Sequence, residues 1–157
     1  FVWAAHALFD LWPEDVLTLP PGTRESFRYR QFPDPAPYDE YWPGDEGGHR
    51  RWDGLPVGAM AKYFLEWPEG GVGFTCHGRF LRLEWSNAPE TAQLGLWINR
   101  HGFPAGRESV SHLGVEPGLG WPDELSAARR GGTAASLEPG ETVVLDLTLH
   151  ILLSSGE

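Results

Sequence analysis

The chain is a succession of short runs in which apolar and polar residues alternate, separated by Pro and Gly, and a period of two predicts strands. In Arg79-Phe80-Leu81-Arg82-Leu83-Glu84-Trp85, Leu81, Leu83 and Trp85 share one face while Phe80, Arg82 and Glu84 share the other, as in a half-buried strand. The run from Val143 to His150 repeats the pattern and places Val143, Leu145, Leu147 and Leu149 inward. Similar β-branched and aromatic runs predict strands over 1–8, 16–19, 26–32, 57–67, 71–77, 80–85, 93–99, 111–116 and 142–152. One helix is expected, from Pro122 to Arg130, with Asp123 and Glu124 in its first turn, basic residues in its last and Gly131-Gly132 to end it. These elements predict an all-β, antiparallel sandwich with one short helix. Leu19-Pro20-Pro21-Gly22-Thr23 and Leu137-Glu138-Pro139-Gly140-Glu141 read as two similar turns, each feeding a strand, with Gly supplying a positive φ. The stretch from Pro33 to Pro56 has no period and reads as one long loop.

Size and composition narrow the function. A length of 157 residues with 41% hydrophobic content suits one domain, 1–157, with a real core. The formal net charge of −10 repels phosphate backbones and anionic lipid, so neither nucleic acid nor a membrane is an expected partner. A neutral small molecule fits better. Cys76 is the only cysteine, which excludes an intrachain disulfide and favours the cytoplasm. The opening Phe1-Val2-Trp3-Ala4-Ala5-His6 reads as the middle of a strand, so the sequence is expected to be an N-terminally truncated fragment. The edge exposed by such a truncation invites pairing, either with a second copy or with the segment left out.

Eight Trp are several times the usual share, and a ring that large with an N–H to satisfy is costly to bury fully. Sugars pack their C–H faces on such rings, and Trp97-Ile98-Asn99-Arg100-His101 and Arg50-Arg51-Trp52-Asp53 set Trp beside polar groups. Most individual Trp nonetheless serve packing. In the segment from Ser111 to Asp123, an extended strand turns His112, Gly114 and Glu116 to one side and Leu113 and Val115 to the other. Gly114 leaves room beside the carboxylate, and Glu116 is expected at the strand end, before Pro117 and a Gly-rich turn. His77 and His150 read as hydrogen-bonded packing residues. No metal-ligand spacing, serine-hydrolase elbow or nucleotide loop occurs, so neither metal nor cofactor is expected.

Leu113-Gly114-Val115-Glu116-Pro117, followed by Pro122-Asp123, resembles the strand and turn that hold the catalytic glutamate of the aldose 1-epimerases, or galactose mutarotases. Trp3-Ala4-Ala5-His6-Ala7-Leu8-Phe9 is similar to that family's strand with the catalytic histidine. Leu83-Glu84-Trp85, Pro89 and Gln93-Leu94-Gly95-Leu96-Trp97-Ile98-Asn99 resemble its stretch ending in an aromatic residue and Asn near the sugar, and Leu137-Glu138-Pro139-Gly140-Glu141 also fits. The resemblance covers the C-terminal portion of a family member, in patches. It implies part of a large antiparallel supersandwich, with Glu116 as general base and His6 as general acid in the interconversion of sugar anomers, an activity that requires the two on opposite walls of one cleft wide enough to admit a pyranose ring. It further implies sugar contacts from Asp53, Trp97 and Asn99, while His112 shares the face of Glu116 and can touch sugar or orient the base. A further His and an Arg of the family have no counterpart in this chain. The competing reading is a carbohydrate-binding module that kept the fold and lost catalysis.

Overall fold

Alternate burial along facing strands produces the architecture. In the computed structural model, which describes residues 1–23, 25–32, 49–51, 55–104 and 110–152, two antiparallel sheets pack face to face beside one short helix. The first sheet contains β1 (Trp3–Ala4), β2 (Ala7–Asp10), β4 (Glu25–Phe32), β6 (Ala59–Glu66), β9 (Ala92–Arg100) and β10 (Ser111–Leu119). Its order is β1-β10-β9-β6-β4, with β2 also pairing with β10. The second sheet runs β11-β8-β7-β3-β5, formed by β3 (Val16–Thr18), β5 (His49–Arg51), β7 (Val72–Cys76), β8 (Arg79–Trp85) and β11 (Leu147–Leu152). The all-β sandwich expected from the alternation is the fold that forms.

The core lies between the sheets. Ala61, Tyr63 and Leu65 of β6, Leu94, Leu96 and Ile98 of β9, and Leu113 and Val115 of β10 meet Leu17, Val72, Phe74, Leu81 and Leu83 from the second sheet. At the β1 end a smaller cluster joins Trp85, Ala92 and Leu119 to Trp3, Trp67, Leu145 and Leu147. Trp85 makes edge contacts with Trp3 at 6.3 Å and Trp67 at 5.6 Å, so these rings pack the interior, as the bland reading of the Trp content held. Because neighbouring residues of a strand face opposite ways, the outer face of the first sheet is left with Lys62, Phe64, Gly95, Trp97, His112, Gly114 and Glu116.

Several boundaries differ from the sequence expectation, each for a physical reason. The strand expected over 1–8 is two pieces, β1 and β2, yet both pair with β10 in one register: Ala4 with Gly118 and Ala7 with Val115. With two residues between those pairs on either strand, Ala5 falls opposite Pro117 and His6 opposite Glu116. The ladder breaks there because Pro117 has no N–H to donate, although its carbonyl still accepts from Ala5 N at 2.9 Å. Strand β10 does not stop at Glu116 but continues through Pro117 to Leu119, so the carboxylate stands inside a strand rather than at its end. The helix α1 spans Leu125–Gly131, later than expected, and Gly132 closes it in the left-handed conformation at φ 72°. Asp123 therefore precedes the helix and is free to reach the sheet.

In the stretch expected to be one loop, His49–Arg51 pairs with β3, while 33–48 and 52–54 lie outside the described residues. Residues 142–146 are not strand; β11 begins at Leu147. Val143 is 44% exposed and Leu149 42%, so the expected inward row is only partly covered on this outermost strand. Both Pro-Gly turns do form, closed by Thr23 N donating to Pro20 O and Glu141 N to Glu138 O, with Gly22 and Gly140 at positive φ. His77 sits in the turn after β7 and His150 in β11, contacting Asp10 and Glu84 respectively at 3.2 Å.

The interrupted ladder yields a prediction. Pro117→Val restores an N–H facing Ala5, and hydrogen exchange should find the amide introduced at position 117 protected; an amide there that exchanges at the rate of an open loop contradicts this account of the break.

Candidate functional site

The register sets the site. Phe64 pairs with Gly95, Gly95 with Glu116, and His6 stands across from Glu116, so three strands and the link between β1 and β2 contribute one row over the outer face. Pro117 and Ala5 occupy the hydrogen-bonding position, which makes His6 and Glu116 a pair of the other kind, in which opposing side chains approach more closely. Nε2 of His6 lies 3.3 Å from Oε1 of Glu116. The two groups therefore share one wall and touch, rather than facing each other across a ring-sized gap.

Glycines on the neighbouring positions let the carboxylate lie against the sheet. A Cβ on Gly114 would come within 2.9 Å of Glu116 Oε1, and one on Gly95 within 3.3 Å of Oε2. The room expected at Gly114 is thus occupied by the carboxylate itself, and Gly95 supplies the second half of the berth. Glu116 is only 3% exposed, whereas the His6 side chain is 46% exposed.

A buried carboxylate needs a counter-charge. Lys62, on β6, places Nζ 2.8 Å from Oε2 of Glu116 and 2.9 Å from Oδ2 of Asp123. Burial is the strongest single influence on Lys62 and pushes its pKa down, but Glu116 and Asp123 together outweigh it and hold the ammonium above its usual range. Lys62 thus stays charged and both carboxylates are tied to it. Neither Lys62 nor Gly95 was among the residues singled out from the sequence. A signal existed for the first, because Lys62 is the one charge within Val57–Leu65, an otherwise apolar run.

Trp97 and His112 stand beside this row. The Trp97 ring meets the His6 ring edge-on at 5.7 Å and the His112 ring at 4.5 Å. His112 is 8% exposed, and among the described residues neither of its ring nitrogens nor Nε1 of Trp97 has a hydrogen-bond partner. Burial first, and the neighbouring His6 second, lower the pKa of His112, so its ring is neutral near pH 7. His112 does not orient Glu116; Lys62 does.

Asn99 is fully buried and does structural work. Its amide nitrogen donates to Phe103 O and Val110 O, and its Oδ1 accepts from the N–H groups of Gly102 and Phe103. These four bonds use its donors and acceptors on the loop after β9, which leaves it nothing to offer a sugar. Asp53 lies outside the described residues. Glu116 and Asp123 also border a hollow of ≈ 110 Å³, walled by Trp3, Phe64, Gln93 and Gly118 among others. Small-molecule pockets usually begin at about 300 Å³, so the hollow takes part of a ring and the remainder would extend over the face. Among the described residues, no three His, Cys, Asp or Glu side chains converge as a metal would require. No helix among them is long and apolar enough to cross a membrane.

Comparison with known proteins yields no match: no protein-family model, no curated protein and no solved structure corresponds to this chain. The likeness to aldose 1-epimerases rests on the sequence patches alone.

The depressed His112 pKa has a pH consequence. Below the ordinary histidine value of about 6.5, the unfolded chain binds a proton at this position that the folded chain resists, so stability falls as pH drops through that range. Urea unfolding at pH 7.5 and 5.5 should show a smaller loss for His112→Phe than for the wild type; equal losses contradict the assignment.

Proposed function

We propose that this chain transfers protons on a small sugar, interconverting its anomers as an aldose 1-epimerase does, at the face that carries His6 and Glu116. The observation that carries the reading is the pairing itself: a buried carboxylate, fixed by Lys62, in contact with a half-exposed imidazole and bordering an aromatic-walled hollow. The chemistry needs a base and an acid on neighbouring atoms. A proton leaves the anomeric hydroxyl for Glu116, His6 gives one to the ring oxygen, and the bond from C1 to the ring oxygen breaks to leave an aldehyde. Rotation about C1 and the reverse transfers close the ring as the other anomer. The hydroxyl oxygen and the ring oxygen are bonded to the same carbon, so on this proposal a base and an acid on one wall reach both, in place of the pair on opposite walls that the enzyme reading expected.

Lys62 holds Glu116 in place, while exposure of His6 leaves the imidazole accessible to substrate. On this reading the two sheets are part of a mutarotase-like supersandwich, and work on free aldoses fits the cytoplasmic location suggested by the lone cysteine. One observation favours sugar binding without turnover instead: the hollow is small and the His6–Glu116 contact is already closed.

The two readings separate on one variant. Glu116→Gln should slow mutarotation, followed by polarimetry, roughly a hundredfold or more while sugar affinity by calorimetry changes little. A wild type that binds sugar but leaves the spontaneous rate untouched establishes the binding-only reading, and an undiminished rate in the variant removes Glu116 from the chemistry.

A further inference from the structure

Among the described residues, both ring nitrogens of His112 and Nε1 of Trp97 are enclosed on the site face without a hydrogen-bond partner, as is Oε1 of Glu116, which His6 approaches at 3.3 Å. Leaving such atoms unsatisfied is costly, and buried polar groups in folded proteins nearly always have a partner, so the arrangement points to a ligand. Their neighbours are ring edges. The T-shaped contact at 4.5 Å holds the two rings together, and the His6 ring meets Trp97 edge-on at 5.7 Å.

We propose that His112 and Trp97 form a hydroxyl-recognising subsite beside the His6–Glu116 pair, and that the ligand it admits is an uncharged sugar rather than a sugar phosphate. This rests on the reading of the face as a sugar site and adds the class of sugar. A neutral imidazole presents one N–H and one lone pair, and the indole presents a second N–H. A hydroxyl group, which both donates and accepts, can use all of these, whereas a phosphate dianion only accepts and meets the imidazole lone pair unfavourably. Lys62 offers little compensation, because it is already shared between Glu116 and Asp123. Glu116 and Asp123 themselves repel an added anion. A phosphate desolvated beside Lys62 would therefore meet an ammonium whose charge is already engaged, rather than the dedicated cationic partner that buried anions require.

The test uses D-glucose, D-galactose and D-glucose 6-phosphate as probes, with ¹⁵N-resolved NMR of the His112 ring and the Trp97 indole. The expected result is that the neutral sugars shift both signals, while the phosphate ester binds at least roughly tenfold more weakly. Trp97→Phe keeps an aromatic ring and loses only the indole and its N–H, and His112→Phe keeps the ring shape; each should weaken binding of the neutral sugar by roughly twofold to tenfold, the range of one or two lost neutral hydrogen bonds. If neutral sugars bind yet leave both signals unmoved, or bind both variants as well as the wild type, the subsite is wrong while the wider sugar reading stands. Phosphate ester binding as tightly as the free sugar overturns the selectivity. If no probe binds the wild type and the nitrogens exchange with water alone, the sugar reading and the subsite fall together.

Discussion

The structure turns on a carboxylate shut away from water on the outer face of a sheet. Burying an isolated charge is prohibitive, so Glu116 is tenable only because Lys62 reaches it from two strands away and Asp123 completes the set. The rest of the local design follows from that need. Gly95 and Gly114 give up their side chains so that the carboxylate can lie flat, and the chain after β10 turns back before α1 so that Asp123 meets the ammonium. Trp121, in the same turn, stacks at 6.5 Å on Phe64, which holds the returning segment over the face.

Strand register converts this charge arrangement into chemistry. The break opposite Pro117 interrupts hydrogen bonding without shifting the pairing, so His6 arrives directly across from Glu116. A carboxylate alone could anchor a hydroxyl; a carboxylate touching an accessible imidazole can take one proton and return another. The Trp97 ring contacts both His6 and His112 and so links the proton-transfer pair to the polar atoms proposed to recognise hydroxyls. Structural and functional demands coincide on β10, which supplies His112, Gly114, Glu116 and Pro117 within six residues.

Much of the fold was legible because half-buried strands carry a period of two. Arg79–Trp85 alternates as read, the run over 93–99 forms a strand as expected, and the placement of His112, Gly114 and Glu116 on a common face followed from the period of two. The continuation of β10 past Pro117 was not legible, since proline usually ends a strand and its tolerance here depends on a break in the partner that only pairing reveals. Lys62 was overlooked for a related reason: alternation says which face a residue takes, not which strand will lie beside it. Asn99 shows the opposite error. Its neighbours suggested a sugar contact, but full burial assigns its amide to the loop after β9. Asp123, read as helix-terminal charge, belongs to the site because α1 starts two residues after it.

That Lys62 is the counter-charge that makes the buried Glu116 tenable is the claim on which the site depends. Denaturant unfolding of Lys62→Met, Glu116→Leu and the double variant measures it directly. The account predicts that Lys62→Met, which strands a buried carboxylate, loses about 3–5 kcal/mol, and that the double variant recovers most of that loss. Losses that simply add, or a Lys62→Met cost below about 1 kcal/mol, as for an exposed surface pair, would contradict it.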